Sequence, residues 1–152
     1  MLHEYVIPLL IAFAVLIYAT IMAAMENKRR VPAAVYEAFY KAYPQARDVT
    51  FEKDRQAGTA VIEVEFDNQG VRTEATYTRD GLLLEIEEDI KPDQLPETIV
   101  EALRTAYPYA TLTEAEKITK TDGTVSGYEV ELKQELEIHL DASGKILNTK
   151  AD

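Results

Sequence analysis

The sequence predicts an α+β protein: an N-terminal transmembrane helix, then two repeats of one helix and four strands that form an antiparallel sheet covered by the helices. Three observations lead to this fold class. Residues 5–25 carry no charged side chain. A pattern that begins at Val31 returns at Leu95. After each copy, apolar and acidic residues alternate with the period of two that is typical of a strand with one buried face.

The first element is an apolar run at residues 5–25, preceded by a short tail at residues 1–4. About 20 apolar residues suffice for a helix to cross a hydrocarbon core of roughly 30 Å. The alternative is a cleaved signal peptide, which needs a basic start and a shorter apolar stretch. Because residues 1–4 contain no Lys or Arg, the sequence predicts a retained membrane anchor. Small residues at Ala12, Ala19 and Ala23 offer this helix a face for close packing against another helix.

A basic linker follows at residues 26–30 and bears on topology. Lys28, Arg29 and Arg30 lie directly after the apolar run, and the tail before it has no matching cation. The positive-inside rule therefore favours a cytoplasmic position for the rest of the chain.

The remainder of the chain consists of two copies of one unit, placed at residues 31–91 and 92–152. Residues 31–44 align without gaps on residues 95–108, with identities at Pro, Glu, Ala, Ala, Tyr and Pro. Each unit opens with a helix between two prolines, and its apolar residues recur at helical spacing. Strands are predicted at residues 48–54, 59–66, 71–78 and 82–87, and at residues 112–119, 127–133, 135–140 and 145–149.

Strand composition predicts how the units pack. Ile62, Val64 and Phe66 alternate with Glu63 and Glu65, as expected for an antiparallel sheet with one wet face. Since the link at residues 88–94 is short, the units are expected to share one sheet of up to eight strands.

Charge and composition exclude several functions. Residues 31–152 carry 13 cations against 25 acids, which disfavours binding to nucleic acid or to anionic lipid. There is no cysteine, and neither histidine belongs to a metal-binding or catalytic motif. His139 alternates with apolar neighbours and is expected on the polar strand face. No catalytic, cofactor-binding or metal-ligating residue is therefore predicted, and a small-molecule substrate is not expected.

Acidic residues and tyrosines are numerous in this sequence and need an interpretation. Acids cluster at residues 85–89 and again at residues 129–137, and are interpreted as a charged solvent-facing surface; a Ca²⁺ site or a general acid/base pair is the alternative. Tyr43 and Tyr107 are expected to pack each helix end onto the sheet. Tyr36 and Tyr40 lie four residues apart near the linker, and are candidates for an interface as well as for the core.

Several of these motifs together resemble the PepSY-like family. They are the A-Y-P triplets at residues 42–44 and 106–108, a Glu-Lys pair in the first strand of each unit, the E-V-E strands and the closing D-G or S-G hairpins. The resemblance covers residues 31–150. It implies a fold like that of β-lactamase inhibitor protein, with a role in binding and inhibition rather than catalysis. It also implies export across the inner membrane, and so a periplasmic domain.

Three functional hypotheses follow. The first is a non-enzymatic, membrane-anchored subunit that docks on a larger integral membrane protein complex, such as an energy-transducing one, with the bilayer and the integral subunits as its partners. The second is a tethered inhibitor, or a sensor of peptides or other ligands, that binds through the sheet. The third, an enzyme that uses the acidic residues, is the least favoured because no nucleophile–base motif is present.

Overall fold

The computed structural model describes residues 31–133 and 135–151. This part contains two α-helices, one short 3-10 helix at Pro92–Gln94 and eight strands. The elements are α1 (Ala33–Ala42), β1 (Arg47–Gln56), β2 (Thr59–Asn68), β3 (Val71–Thr78), β4 (Leu83–Asp89), α2 (Glu97–Ala106), β5 (Leu112–Lys120), β6 (Val125–Leu132), β7 (Leu136–Asp141) and β8 (Ile146–Ala151).

The eight strands form one antiparallel sheet in chain order, with β1 and β8 at its edges. The two halves join where β4 pairs with β5, which sets Asp89 opposite Glu116. The prediction of a continuous sheet is confirmed, and the predicted strands agree with the observed ones to within two residues at each end. One detail differs. Glu135 was placed on a strand, but it lies in the turn before β7 with a positive φ of 58°.

The prolines fix where each helix begins. Pro32 and Pro96 occupy the N-cap positions, where a missing backbone N–H costs no helical hydrogen bond. Each helix ends at a tyrosine whose N–H donates to a carbonyl one turn earlier: Tyr43 to Phe39 at 2.8 Å and Tyr107 to Leu103 at 2.7 Å.

Each helix lies on the same side of the sheet and covers its own half of the core. Val35 and Phe39 of α1, and Ile99 and Leu103 of α2, are buried as their spacing predicted. The first core cluster comprises Val35, Phe39, Ile62, Val64, Phe66, Ala75 and Tyr77. The second comprises Leu95, Ile99, Leu103, Ala115, Tyr128, Val130, Leu132, Ile138 and Leu140. The other side of the sheet carries no helix among the described residues.

Within residues 31–133 and 135–151, no helix has the length and apolar character needed to cross a membrane. The predicted anchor at residues 5–25, its packing residues Ala12, Ala19 and Ala23, and the basic residues Lys28, Arg29 and Arg30 lie outside the described residues.

Candidate functional site

The side of the sheet opposite the helices, here called the open face, carries a line of acids that crosses six strands. Every neighbouring pair along it is either directly opposite or one diagonal step apart in the strand register. Like charges so arranged repel one another, so this is not how a sheet is stabilised. The carboxylate row consists of Glu52, Glu63, Glu74, Glu87, Glu116 and Glu129.

The open face is concave. Gln56 on β1 donates a hydrogen bond to Glu85 on β4, across two intervening strands that would separate them by about 14 Å in a flat sheet. A trough of about 480 Å³ follows this curvature and is lined mostly by charged side chains. Curvature therefore brings together residues that are distant along the sheet.

Three carboxylates meet at the centre of the trough, and are here called the central triad: Glu87, Glu116 and Glu129. Carboxylate oxygens of the three lie within 4.8 Å of one another. Glu87 is on β4 and Glu129 on β6, with β5 between them, and the concave shape of the face favours this approach. The sequence does not reveal the triad, because its members are distant along the chain.

Burial and mutual repulsion change how the triad ionises. Burial raises the pKa of Glu87 to about 8, and the neighbouring charges of Glu129 and Glu74 add to the effect. Burial also raises the pKa of Glu116 and of Glu129, although Arg72 opposes the rise at both. At neutral pH Glu87 therefore retains a proton that an exposed carboxylate would have lost.

The first half of the carboxylate row behaves similarly. Burial raises the pKa of Glu63 to about 7, with further contributions from Glu74 and Asp54. The pKa of Glu74 is raised mainly by burial, against the opposing charge of Arg72.

Arg72 on β3 contacts one member of the central triad and two further acids. Its guanidinium contacts Glu65 at 2.8 Å, Glu116 at 3.0 Å and Asp89 at 3.7 Å. The hydrogen bond to Glu65 raises the pKa of Arg72 above its ordinary value. One guanidinium thus contacts three carboxylates, and the open face retains a large excess of negative charge.

At the second-repeat end of the trough, His139 lies on the open face, as its alternation predicted. Its Nδ1 lies 3.2 Å from Glu129 and its Nε2 lies 2.8 Å from Glu137. Lys150 on β8 lies 3.6 Å from Glu137. The Lys150 ammonium thus partly offsets the acids at this end, and the His139 imidazole lies between Glu129 and Glu137.

Two sets of side chains in the described residues bring enough ligand atoms together for a cation. One is Glu129, Glu137 and His139, and the other is the central triad. Carboxylate oxygens suit a hard divalent ion such as Ca²⁺, whereas the histidine set also suits a transition metal.

Tyr36 and Tyr40 do lie together, in a patch on the opposite side of the sheet from the trough. Their ring centroids are 4.6 Å apart, and Tyr36 stacks on Phe51 of β1 at 5.9 Å. Tyr40 and Phe51 also pack against the first core cluster, although no sequence pattern indicated Phe51 as part of this contact. These three side chains, the aromatic patch, are half-buried.

The acidic clusters seen in the sequence separate in the structure. Glu87 faces the trough, whereas Glu88 points to the helix side and contacts Lys117 at 2.8 Å. Arg72, Glu63 and Glu74 were not predicted as site residues. Strand alternation placed Glu63 on the wet face, but only the register and curvature show that these residues join one row.

Fold and site together define a class: a tandem-repeat α+β domain whose sheet is covered by helices on one side and presents a concave, acidic face on the other. The family model described as "Putative beta-lactamase-inhibitor-like, PepSY-like" matches the chain at residues 23–84 and again at residues 58–148. The chain belongs to this PepSY-like family.

Solved structures share the fold at low identity. A Bacteroides eggerthii protein described as "putative periplasmic" is 16% identical, with a TM-score of 0.65 over 79% of this chain and 88% of its own. A DUF2874 family protein of Bacteroides uniformis is 18% identical, with a TM-score of 0.63 and the same two coverages. A Bacteroides fragilis protein described as BLIP-like is 18% identical, with a TM-score of 0.56 over 79% of this chain and 85% of its own. No curated protein matches the chain.

Proposed function

We propose that this protein is a non-enzymatic, membrane-anchored binding subunit that docks on a larger integral membrane complex through its open face. The carboxylate row carries the proposal. It is a line of like charges on a concave surface, arranged at a cost to the fold and facing outward. A charged surface that serves solubility alone gains nothing from setting acids directly opposite one another.

The chemistry of the trough indicates a protein partner with a cationic surface. Small-molecule pockets are mostly apolar with a few polar groups, whereas charged side chains dominate the lining of this trough. Complementary charge steers such a partner onto the face and suppresses acidic competitors.

The membrane helix predicted at residues 5–25 supplies the second part of the mechanism. A tether holds the domain near its partner, so a contact that is weak in solution becomes occupied at the membrane. Alanines 12, 19 and 23 would let this helix pack closely against a helix of the complex.

Two arguments bear on the side of the membrane. Lys28, Arg29 and Arg30 favour the cytoplasm. The description of the Bacteroides eggerthii relative as periplasmic supports the other side, as does the family resemblance. In this proposal the domain faces the periplasm of an inner membrane. Protease added to spheroplasts should then digest residues 31–152, and protection of this domain until the cells are opened would place it in the cytoplasm.

The aromatic patch is proposed as a second contact with the membrane part of the complex. It belongs to the first repeat, directly after the linker from the anchor. The positions that correspond to Tyr36 and Tyr40 in the second repeat are Val100 and Arg104. Tyr40→Arg copies the second repeat and should weaken incorporation into the complex, with the circular dichroism of the sheet showing whether the domain stays folded. Incorporation unchanged from wild type would exclude the patch.

The main test isolates the full chain from its native membrane in mild detergent, followed by native mass spectrometry. A stoichiometric complex is expected. The double variant Glu63→Gln, Glu74→Gln should lower its yield several-fold. The control, Glu37→Gln, Glu101→Gln, removes the same charge from the two helices and should leave the complex intact. A free wild-type monomer, or equal losses in both variants, would contradict docking through the open face.

The second candidate function is a tethered inhibitor or a peptide-sensing domain, favoured by the family description and by the BLIP-like relative. Removal of residues 1–30 separates the two. An inhibitor or sensor should keep its affinity for the partner after this truncation, because the sheet alone makes the contact. A complex subunit should lose incorporation.

A further inference from the structure

The hairpins that join β1 to β2, β3 to β4, β5 to β6 and β7 to β8 lie at one end of the sheet, because the eight strands run antiparallel in chain order. This end, here called the hairpin end, comprises residues 55–59, 78–82, 120–125 and 141–146. The turns after β2, β4 and β6 lie at the opposite end, here called the distal end. A strand of 8 residues such as β3 separates the two ends by about 26 Å.

The chain enters the domain at the hairpin end. A Cβ at Gly81 would lie 2.6 Å from the carbonyl oxygen of Ala34, so α1 begins against the hairpin between β3 and β4. Val31, just before α1, packs against the first core cluster. The basic linker that precedes Val31 spans at most about 18 Å when it is fully extended. A membrane helix that ends where this linker begins therefore keeps the hairpin end close to the bilayer.

Charge is distributed unevenly between the hairpin end and the rest of the domain. The hairpin end has four cations and three acids, whereas the remainder of residues 31–152 has nine cations against 22 acids. The basic linker adds three more cations next to the hairpin end. The four cations of the hairpin end are Arg55, Arg79, Lys120 and Lys145. An anionic surface therefore repels the bulk of the domain but not this end.

The acids of the hairpin end are bound to their own turns. Asp122 accepts a hydrogen bond from the N–H of Thr124 at 2.9 Å, and Asp141 accepts one from the N–H of Ser143 at 2.9 Å. All four cations are exposed. The positive groups are thus the ones available to a charged surface that approaches this end.

Two exposed leucines add apolar surface in the same place. Leu82 lies in the hairpin between β3 and β4 and is 62% exposed, and Leu147 follows the last hairpin and is 60% exposed. Cations beside apolar side chains are the combination that the interface of an anionic bilayer accommodates.

We propose that the hairpin end rests on the anionic headgroups of the bilayer that holds the anchor, and that this contact stands the sheet upright. The inference rests on the proposed function, because it needs the membrane helix at residues 5–25. The strands then run away from the membrane, and the open face turns sideways, toward an integral neighbour rather than toward lipid. The carboxylate row stays clear of headgroups that would repel it.

The size of the effect follows from the number of cations at the surface. Each Lys or Arg close to an anionic bilayer shifts such an equilibrium by about fivefold, and salt screens the attraction beyond about 8 Å. Replacing two of the four cations should therefore weaken the preference for this orientation by roughly tenfold or more.

Site-specific fluorescence quenching tests the orientation. The chain has no cysteine, so one introduced cysteine carries a fluorophore at a chosen site. The full chain is reconstituted in vesicles of phosphatidylcholine and phosphatidylglycerol that contain a lipid with a nitroxide on its headgroup. A label at Thr121→Cys, in the hairpin between β5 and β6, should be quenched several-fold more than one at Tyr109→Cys, a 97% exposed site at the distal end.

Charge variants test the cause of the orientation. Arg79→Gln, Lys145→Gln should remove most of the difference between the two labels, as should vesicles of phosphatidylcholine alone. The matched control, Lys91→Gln, Lys133→Gln, removes the same charge from the distal end and should leave the difference unchanged.

The outcomes separate this inference from the proposed function. Equal quenching at the two sites, or stronger quenching at residue 109, would overturn the upright orientation and leave docking through the open face standing. A difference that persists in phosphatidylcholine alone and in Arg79→Gln, Lys145→Gln would overturn the contact with anionic headgroups. A chain that does not float with the vesicles would contradict the anchor, and the proposed function with it. Circular dichroism of each labelled chain checks the fold, and Ala142→Cys with Gln45→Cys repeats the comparison at a second pair of sites.

Discussion

Glu87 allows a direct measurement of what the carboxylate row costs the fold. Its pKa rises from 4.5 to about 8 on folding. Between these values the folded chain holds a proton that the unfolded chain has lost. Because the folded state binds more protons, the free energy of unfolding must fall as the pH rises through this window. The penalty is absent below about pH 4.5 and complete above about pH 8.

The magnitude follows from the size of this change. A carboxyl fully shielded from solvent would lower the free energy of unfolding by about 4.8 kcal/mol between these two pH values. Glu87 borders an open trough, so solvent screening reduces the penalty, and we expect about 2 kcal/mol. Glu87→Gln keeps the shape of the side chain and removes the charge. At about pH 8.5 it should raise the free energy of unfolding by 1 to 2 kcal/mol, and at about pH 5.5 it should change little.

Urea unfolding of the full chain in non-ionic detergent, followed by the circular dichroism of the sheet at both pH values, measures these differences. Glu101→Gln on α2 is the matched control and should follow the wild-type pH dependence. Wild-type stability that is flat or rises between the two pH values would refute the reasoning. So would a Glu87→Gln variant that is less stable than wild type at the higher pH.

Two further predictions concern the fold and are checked by the same unfolding measurement. Phe39 is fully buried and meets Phe66 edge-to-face at 4.9 Å, so Phe39→Ala should cost about 3 to 5 kcal/mol. Tyr109→Ala, at a side chain that is 97% exposed, should cost under about 0.5 kcal/mol. Gly81 has a φ of +86°, and a Cβ there would lie 2.6 Å from the carbonyl oxygen of Ala34. Gly81→Ala should therefore lower the free energy of unfolding by about 2 kcal/mol or more. Gly58 has a similar φ, but a Cβ there would meet no other atom within 4 Å, so Gly58→Ala should lower the free energy of unfolding clearly less. Equal decreases in the two variants would exclude the close contact as the cause.

Local sequence signals were enough to predict the sheet and its buried face. Ile62, Val64 and Phe66 alternate with acids over one strand, and period-two burial leaves a single choice of face. The short link at residues 88–94 predicted that the two repeats share one sheet, and the eight strands do form one sheet. Glu135 was misplaced because strand composition continues into the turn, and the positive φ that ends the pattern is a property of the backbone alone.

The central triad could not be predicted in this way. Its members come from three strands, and their meeting depends on the diagonal step between Glu87 and Glu116 and on the curvature of the whole sheet. Neither quantity is encoded in any short window of sequence. The acidic cluster at residues 85–89 does not form one surface, because Glu87 and Glu88 are neighbours in the chain but face opposite sides of the sheet.

The position of the acids is the argument for the proposed binding role of the open face. Acids on the helix side either face water or have a partner: Glu88 contacts Lys117, and Glu97 lies 3.7 Å from Arg104. Five acids of the carboxylate row, all except the exposed Glu52, are half-buried beside one another, and Arg72 cannot neutralise them all. Replacing some of them with neutral residues would stabilise the sheet at neutral pH and leave enough charge for solubility. Places where a protein departs from the rules of stability in this way are where function is expected. A partner that brings cations to the carboxylate row would relieve this repulsion, and the relief would favour binding.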